Sequence, residues 1–143
     1  MPAPMLSNAD AVEEAFYDAM RRGDLAAMMA LWSDDEEVIC VHPGGPRLVG
    51  LDAVRESWEN ILSSGSVDIS IGQVRATSGA VLCVHNVIET LRVQARKGLE
   101  TIQCAATNVY VKGPRGWRML LHHAGQSEAT VTTAAAPSGA ILH

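Results

Sequence analysis

The chain has 143 residues, 48% of them hydrophobic, which is enough to build one domain with a full core. A formal net charge of -5 and scattered Lys and Arg residues argue against a nucleic-acid-binding surface, so no nucleic-acid partner is expected. The apolar runs are too short to span a bilayer, and the N-terminus lacks the basic start of a signal peptide. We therefore expect no membrane partner and a cytoplasmic protein.

Three amphipathic helices are predicted in the first half of the chain. The first has apolar residues at three- and four-residue steps, while acidic residues such as Glu13 fall on its other side, and Gly23 ends it. A second, shorter helix comes next, and a third ends in a Ser- and Gly-rich stretch. The predicted caps are, in chain order, Asn8 or Ser7, Asp24 and Asp52.

Strands dominate the rest of the chain. β-branched and apolar runs are separated by short Gly-containing turns, which makes the last four strands consecutive antiparallel neighbours. Residues 1–126 are predicted to form a single domain, and residues 127–143, rich in Ala and Thr, to form a flexible tail. The predicted strands are residues 38–42, 47–49, 67–77, 80–96, 99–112 and 117–126.

The three cysteines, Cys40, Cys83 and Cys104, are an odd number, and each lies in an apolar run. This pattern fits neither a disulfide framework nor a zinc site. Buried small side chains on strands are the main interpretation, with a reactive thiol as the alternative.

Several short motifs follow one another along the chain: Gly23-Asp24, Trp32, His42-Pro43-Gly44, Gly50, Trp58, Thr107–Tyr110, Gly116–Arg118 and His122–Ala124. In these motifs and in the order of its elements, the chain resembles the NTF2-like superfamily, and more narrowly the SnoaL-like proteins related to ketosteroid isomerase. The resemblance covers about residues 9–126. It implies an α+β, cone-shaped fold in which three N-terminal helices pack on a curved antiparallel sheet. It also implies a ligand pocket inside the cone and a homodimer formed through the open sheet face.

Two histidines are the candidate catalytic residues. His42 ends a strand before a Pro-Gly-Gly turn, so we expect its ring at the pocket mouth, where it either transfers a proton or pins the loop. His122 and His123 must point to opposite faces of their strand. By the resemblance, His123 matches the recurrent family histidine, so we expect His123 inside, on the face of Trp117, and His122 toward the dimer.

The predicted ligand pocket is apolar with a few polar groups. Its aromatic members have core packing as an alternative role, and its amide could instead bond to a neighbouring strand. Only one of Asn86 and Glu89 can line the pocket, because the two residues lie on opposite faces. The predicted pocket residues are Tyr17, Trp32, Trp58, Glu89 and Asn108.

His42, His123 and Glu89 are three residues of types that bind metals, but the sequence has no metal-binding motif, so no metal is predicted. The isomerases of this superfamily use a carboxylate as base and a protonated carboxylic acid as a hydrogen-bond donor in an apolar pocket. The resemblance does not extend to these residues, because few acidic residues lie inside the apolar strands of this chain. The resemblance also includes a dehydratase variant of the fold, which works with histidines, a tyrosine and an aspartate. His42, His123 and Tyr17 match part of that set. Two functions remain open: a cofactor-free isomerase, cyclase or dehydratase acting on a small apolar molecule, or a non-catalytic ligand-binding or dimerisation module.

Overall fold

The computed structural model describes residues 6–35 and 37–127. Within these ranges the chain forms three helices and one six-stranded sheet, as the predicted α+β class requires. All but the first residue of the predicted tail, 127–143, lies outside the described residues. The elements are α1 (Ala9–Arg22), α2 (Leu25–Met29), β1 (Ile39–Val41), β2 (Arg47–Val49), α3 (Leu51–Leu62), β3 (Ile69–Ser78), β4 (Leu82–Ala95), β5 (Gly98–Gly113) and β6 (Gly116–Gln126).

Local sequence signals start and stop the helices. The side chain of Asn8 accepts a hydrogen bond from the Ala11 N–H at the start of α1, and that of Asp24 accepts from Ala27 N–H at the start of α2. Gly23 ends α1 in the left-handed conformation, with φ of 64°. The predicted cap Asp52 lies instead in the first turn of α3, whose N-cap is Gly50.

The sheet has the strand order β2-β1-β6-β5-β4-β3. The long strands β3 to β6 form an antiparallel meander, as their short turns predict. β1 joins the other side of β6 in parallel and pairs antiparallel with β2. The helices cover one face of this sheet, and the core lies between them, with Phe16, Trp58 and Tyr110 among its largest buried side chains.

A β-bulge interrupts β6. Tyr110 of β5 is opposite Met119, but the next residue back, Val109, is opposite Leu121, so Leu120 is an extra residue. Side chains alternate normally on each side of the bulge, but the alternation is reset across it. Met119 and His122 therefore lie on the same face of the sheet, three residues apart.

In the described part of the chain, no helix is long and apolar enough to cross a membrane.

Candidate functional site

A chain of hydrogen bonds crosses the interior between α1 and the sheet. The Tyr17 hydroxyl donates to Glu89 Oε2 at 2.7 Å, and Asn108 Nδ2 donates to the Tyr17 oxygen at 3.0 Å. Asn108 Oδ1 lies 2.6 Å from His122 Nδ1. All four side chains are buried, with at most 3% of each residue exposed. The structure thus brings Tyr17, Glu89 and Asn108 together, and joins them to a histidine.

These four side chains, Glu89, Tyr17, Asn108 and His122, form a relay of hydrogen bonds. The donors and acceptors available fix the direction of every bond in it. Tyr17 uses its single proton on Glu89, so it can only accept from Asn108. The amide oxygen of Asn108 then faces His122, whose Nδ1 must carry the proton that it donates. The neutral His122 tautomer consequently keeps its lone pair on Nε2, where it can act as a base.

The expectation that His123 faces the interior is wrong. His122 is the buried histidine, opposite Asn108, whereas His123 is exposed and lies opposite Thr107 on the outer face. The cause is the bulge at Leu120, because the shared face of Trp117 and His123 assumed uninterrupted alternation along β6. Of Asn86 and Glu89, only one of which can line the pocket, Glu89 points to the interior and Asn86 is exposed.

His42 lies next to this relay and is half-buried. Its ring packs edge-on against Trp58, with centroids 4.8 Å apart, and lies 6.4 Å from the ring of His122. The Ser57 hydroxyl donates to the Val54 carbonyl at 2.7 Å, so His42 Nε2 must donate to Ser57 Oγ across 2.9 Å. The lone pair of neutral His42 is therefore on Nδ1.

Burial changes the protonation of the relay at both ends. It lowers the pKa of His122 to about 3, and His42 and His123 act in the same direction whenever their rings are protonated. Burial also lowers the pKa of His42, so both histidines are neutral near pH 7. At the other end, burial raises the pKa of Glu89, against a smaller opposite effect of the Tyr17 hydrogen bond.

The two predicted pocket tryptophans are buried, and in the described ranges the indole Nε1 of neither has a hydrogen-bond partner. Trp58 packs between Phe16 and His42 and lies 6.1 Å from the ring of His122, measured between centroids. The nearby thiol of Cys40 offers only a weakly accepting sulfur, and burial raises its pKa to about 12. Trp32 pairs through its backbone with Met119, at a different part of β6.

A second polar cluster, which sequence reasoning missed, involves Glu13, His85 and Tyr110. His85 Nδ1 is 3.0 Å from both carboxylate oxygens of Glu13, and the Tyr110 hydroxyl donates to Glu13 at 3.1 Å. The placement of Glu13 on the polar side of α1 is therefore wrong: it is 6% exposed. The sequence spacing indicates this burial, because Glu13 lies one helical turn before the predicted pocket residue Tyr17 and so on the same face of α1.

Within the described residues, no group of three His, Cys, Asp or Glu side chains is arranged to hold a metal, and His123 lies on the opposite sheet face from Glu89. The three cysteines are free and buried. The depressions lined by described residues include those of about 100, 230, 320 and 520 Å³, whose linings are residues of α3, loops and strand ends rather than of the relay.

The model of one family, described as the SnoaL-like domain, matches residues 10–127. A comparison with curated proteins found no match. A crystal structure of a candidate calcium/calmodulin-dependent protein kinase type II association domain from Thiobacillus denitrificans is 32% identical, covering 87% of this chain and 99% of that one, with a TM-score of 0.79.

Two further crystal structures have the same fold. A candidate dehydratase of the NTF2-like family from Streptomyces avermitilis is 27% identical, covering 84% of this chain and 94% of that one, with a TM-score of 0.76. A ketosteroid isomerase-like protein from Erwinia carotovora is 18% identical over 84% of this chain and 94% of that one, with a TM-score of 0.66, a likeness of fold alone.

Proposed function

The chain belongs to the SnoaL-like family, and from that membership we propose that it binds a small apolar carbonyl compound inside the cone and transfers a proton on it without a cofactor. The reaction is of the isomerase, cyclase or dehydratase type. The observation that carries this proposal is the directed relay from His122 through Asn108 and Tyr17 to Glu89.

His122 is the proposed base. Its Nε2 lone pair takes a proton from the carbon next to the ligand carbonyl, and the electrons of that C–H bond form an enolate. The resulting imidazolium returns the proton to another carbon or to a leaving hydroxyl. The negative charge on the enolate raises the pKa of the imidazole during this step, which offsets the low pKa that burial gives it.

The relay holds the base in place. The bond from Nδ1 to Asn108 fixes the tautomer, and Tyr17 and Glu89 fix the orientation of the amide in turn. Trp58 supplies a buried N–H that, within residues 6–35 and 37–127, has no acceptor stronger than the Cys40 sulfur. This donor suits an oxygen on which negative charge develops. His42, half-buried beside Trp58, marks the way in from solvent.

The test is proton exchange in D₂O, followed by NMR on a panel of small apolar ketones. We expect His122→Gln to slow enzyme-dependent exchange by about 10²-fold or more, the typical contribution of a positioned base. His42→Ala should slow it as well. The exposed neighbour provides the matched control, since His123→Ala should leave exchange near the wild-type rate. Exchange that is equal in His122→Gln and wild type would remove His122 as the base.

A second function, a non-catalytic assembly module, is favoured by one specific observation. The relative with 32% identity is a candidate kinase association domain, and it is matched over 99% of its length. In this case the relay is a structural network in a filled interior, and the outer sheet face joins two copies as a homodimer. The absence of exchange for any tested ketone, together with a stable dimer, would favour this function over the first.

A further inference from the structure

Arg118 is an arginine whose charge is almost removed from solvent. The residue is 7% exposed, and its Nη1 donates to the Trp117 carbonyl at 2.9 Å. The ion pairs of residues 6–35 and 37–127 include no carboxylate for Arg118. A guanidinium has five N–H donors, and a buried charge without a counterion is costly. Within the described chain, the group therefore lacks a partner of opposite charge.

A second guanidinium lies beside it. Arg115, in the turn between β5 and β6, is close enough for its positive charge to lower the pKa of Arg118 further, after the larger effect of burial. Arg115 pairs with Asp34, and the two side chains are 63% and 71% exposed. An exposed pair of this kind contributes little to stability, so Arg115 can turn to another anion at small cost.

The two arginines share a depression of about 100 Å³ with Ser33, Asp34 and the glycines of the turn, Gly113 and Gly116, and Asp34 is the carboxylate that Arg115 pairs with. Ser33 comes close to the turn because the backbone N–H of Ser33 donates to the Met119 carbonyl at 2.8 Å, which places it along the edge of β6. The Ser33 Oγ accepts from the Asp35 N–H, so its own proton remains available as a donor.

We propose that this depression binds a small oxyanion, a phosphate or a carboxylate, held by the guanidinium groups of Arg118 and Arg115. The planar fork of arginine matches two oxygens of such an anion, and the volume of the depression suits a group of a few atoms. The site uses none of the residues of the proposed proton transfer, so either proposal can fail without the other.

The test measures the melting temperature of the full chain with inorganic phosphate or acetate against sodium chloride at equal ionic strength. Wild type should show a saturable increase with at least one of the two anions, and the stronger of them identifies the preferred class. Arg118→Gln should weaken the apparent affinity by about tenfold or more, because charge-assisted hydrogen bonds are lost. Arg115→Gln should weaken it less.

Arg47→Gln is the matched control, since Arg47 is an exposed arginine on β2 that does not line the depression. It should retain the wild-type response. Phosphate and acetate that act no more strongly than chloride on wild type would overturn the proposal, as would an unchanged response in Arg118→Gln. If Arg118→Gln does not fold, the decision rests on Arg115→Gln, where full retention of the wild-type affinity would overturn it.

Discussion

The interior histidine shows how one side chain ties proton chemistry to stability. His122 is neutral in the folded chain because burial lowers its pKa to about 3, whereas an unfolded histidine titrates near 6.5. As the pH falls below 6.5, the unfolded chain takes up a proton that the folded chain does not. Stability from this group is therefore full above pH 6.5 and is lost as the pH falls toward 3.

We predict that the unfolding free energy of His122→Gln falls less steeply than that of wild type as the pH decreases below 6.5. Each pH unit in this window is worth about 1.4 kcal/mol, so His122 accounts for about 2 kcal/mol of unfolding free energy between pH 6.5 and 5. Urea unfolding of wild type and variant across this range measures the difference. His123→Ala, which changes an exposed histidine, should keep the wild-type slope, and equal slopes in all three proteins would contradict the buried neutral state.

The contribution of Glu89 to stability depends on pH in the opposite direction to that of His122. Its folded pKa is raised by burial, so its favourable contribution is present below the ordinary value of 4.5 and is lost as the pH rises through the folded pKa. We predict that Glu89→Gln, which keeps an oxygen for the Tyr17 hydroxyl, melts at or above the wild-type temperature at pH 7.5. This advantage should disappear at pH 4.

The exposed Glu14→Gln is the control for Glu89→Gln, and it should change the melting temperature little at either pH. A clear loss of stability of Glu89→Gln at pH 7.5 would mean that the ionised carboxylate is a net stabilising group, contrary to the raised pKa.

At the scale of the elements, Gly23 lies at the junction of α1 and α2. Its φ is 64°, and a Cβ there would lie 3.2 Å from backbone atoms of Gly65 and Ser66 in the loop after α3. We predict that Gly23→Ala lowers the unfolding free energy by more than about 1 kcal/mol, since the strain of a left-handed residue adds to a backbone clash. Chemical denaturation measures it.

Gly44 is the matched control for this prediction. Its φ of 76° is also left-handed, but a Cβ would meet no atom within 4 Å. Gly44→Ala should therefore show the conformational cost without the clash. If both variants lose the same stability, the close approach between α1 and the loop after α3 is not a constraint.

Elements whose signals are local could be predicted from the sequence. The caps Asn8 and Asp24 and the turn glycines act within a few residues, and the six strands lie within a few residues of their predicted bounds. The site depends on distant partners and was only partly predicted. The buried Glu13 is explained by His85 and Tyr110, and the face of His122 by a bulge that no local residue type marks.

At the scale of the whole molecule, the outer sheet face carries apolar side chains that the helices do not cover. Val84, Val109 and Leu121 lie opposite one another on neighbouring strands, and each is only partly buried. Apolar residues in such a row favour contact with a second copy, as the proposed homodimer requires.

We predict that Val109→Asp shifts the protein from dimer to monomer, because it places a charge in the centre of this row. Light scattering coupled to size-exclusion chromatography measures the mass of both proteins. Val81→Asp is the control, since Val81 is 59% exposed in the turn between β3 and β4, outside this row. A wild-type monomer, or a Val109→Asp dimer of unchanged affinity, would exclude this face as the interface.

The extra residue in β6 also governs how this strand must be aligned with those of related chains. Without Leu120, Met119 and Leu121 would be consecutive residues opposite Tyr110 and Val109, and His122 would still lie opposite Asn108. A relative with an unbroken strand therefore needs a one-residue gap at position 120. An ungapped alignment that starts from Trp117 would place the equivalent of His122 at Leu121, and would transfer the chemistry of an interior base to a side chain of the outer face.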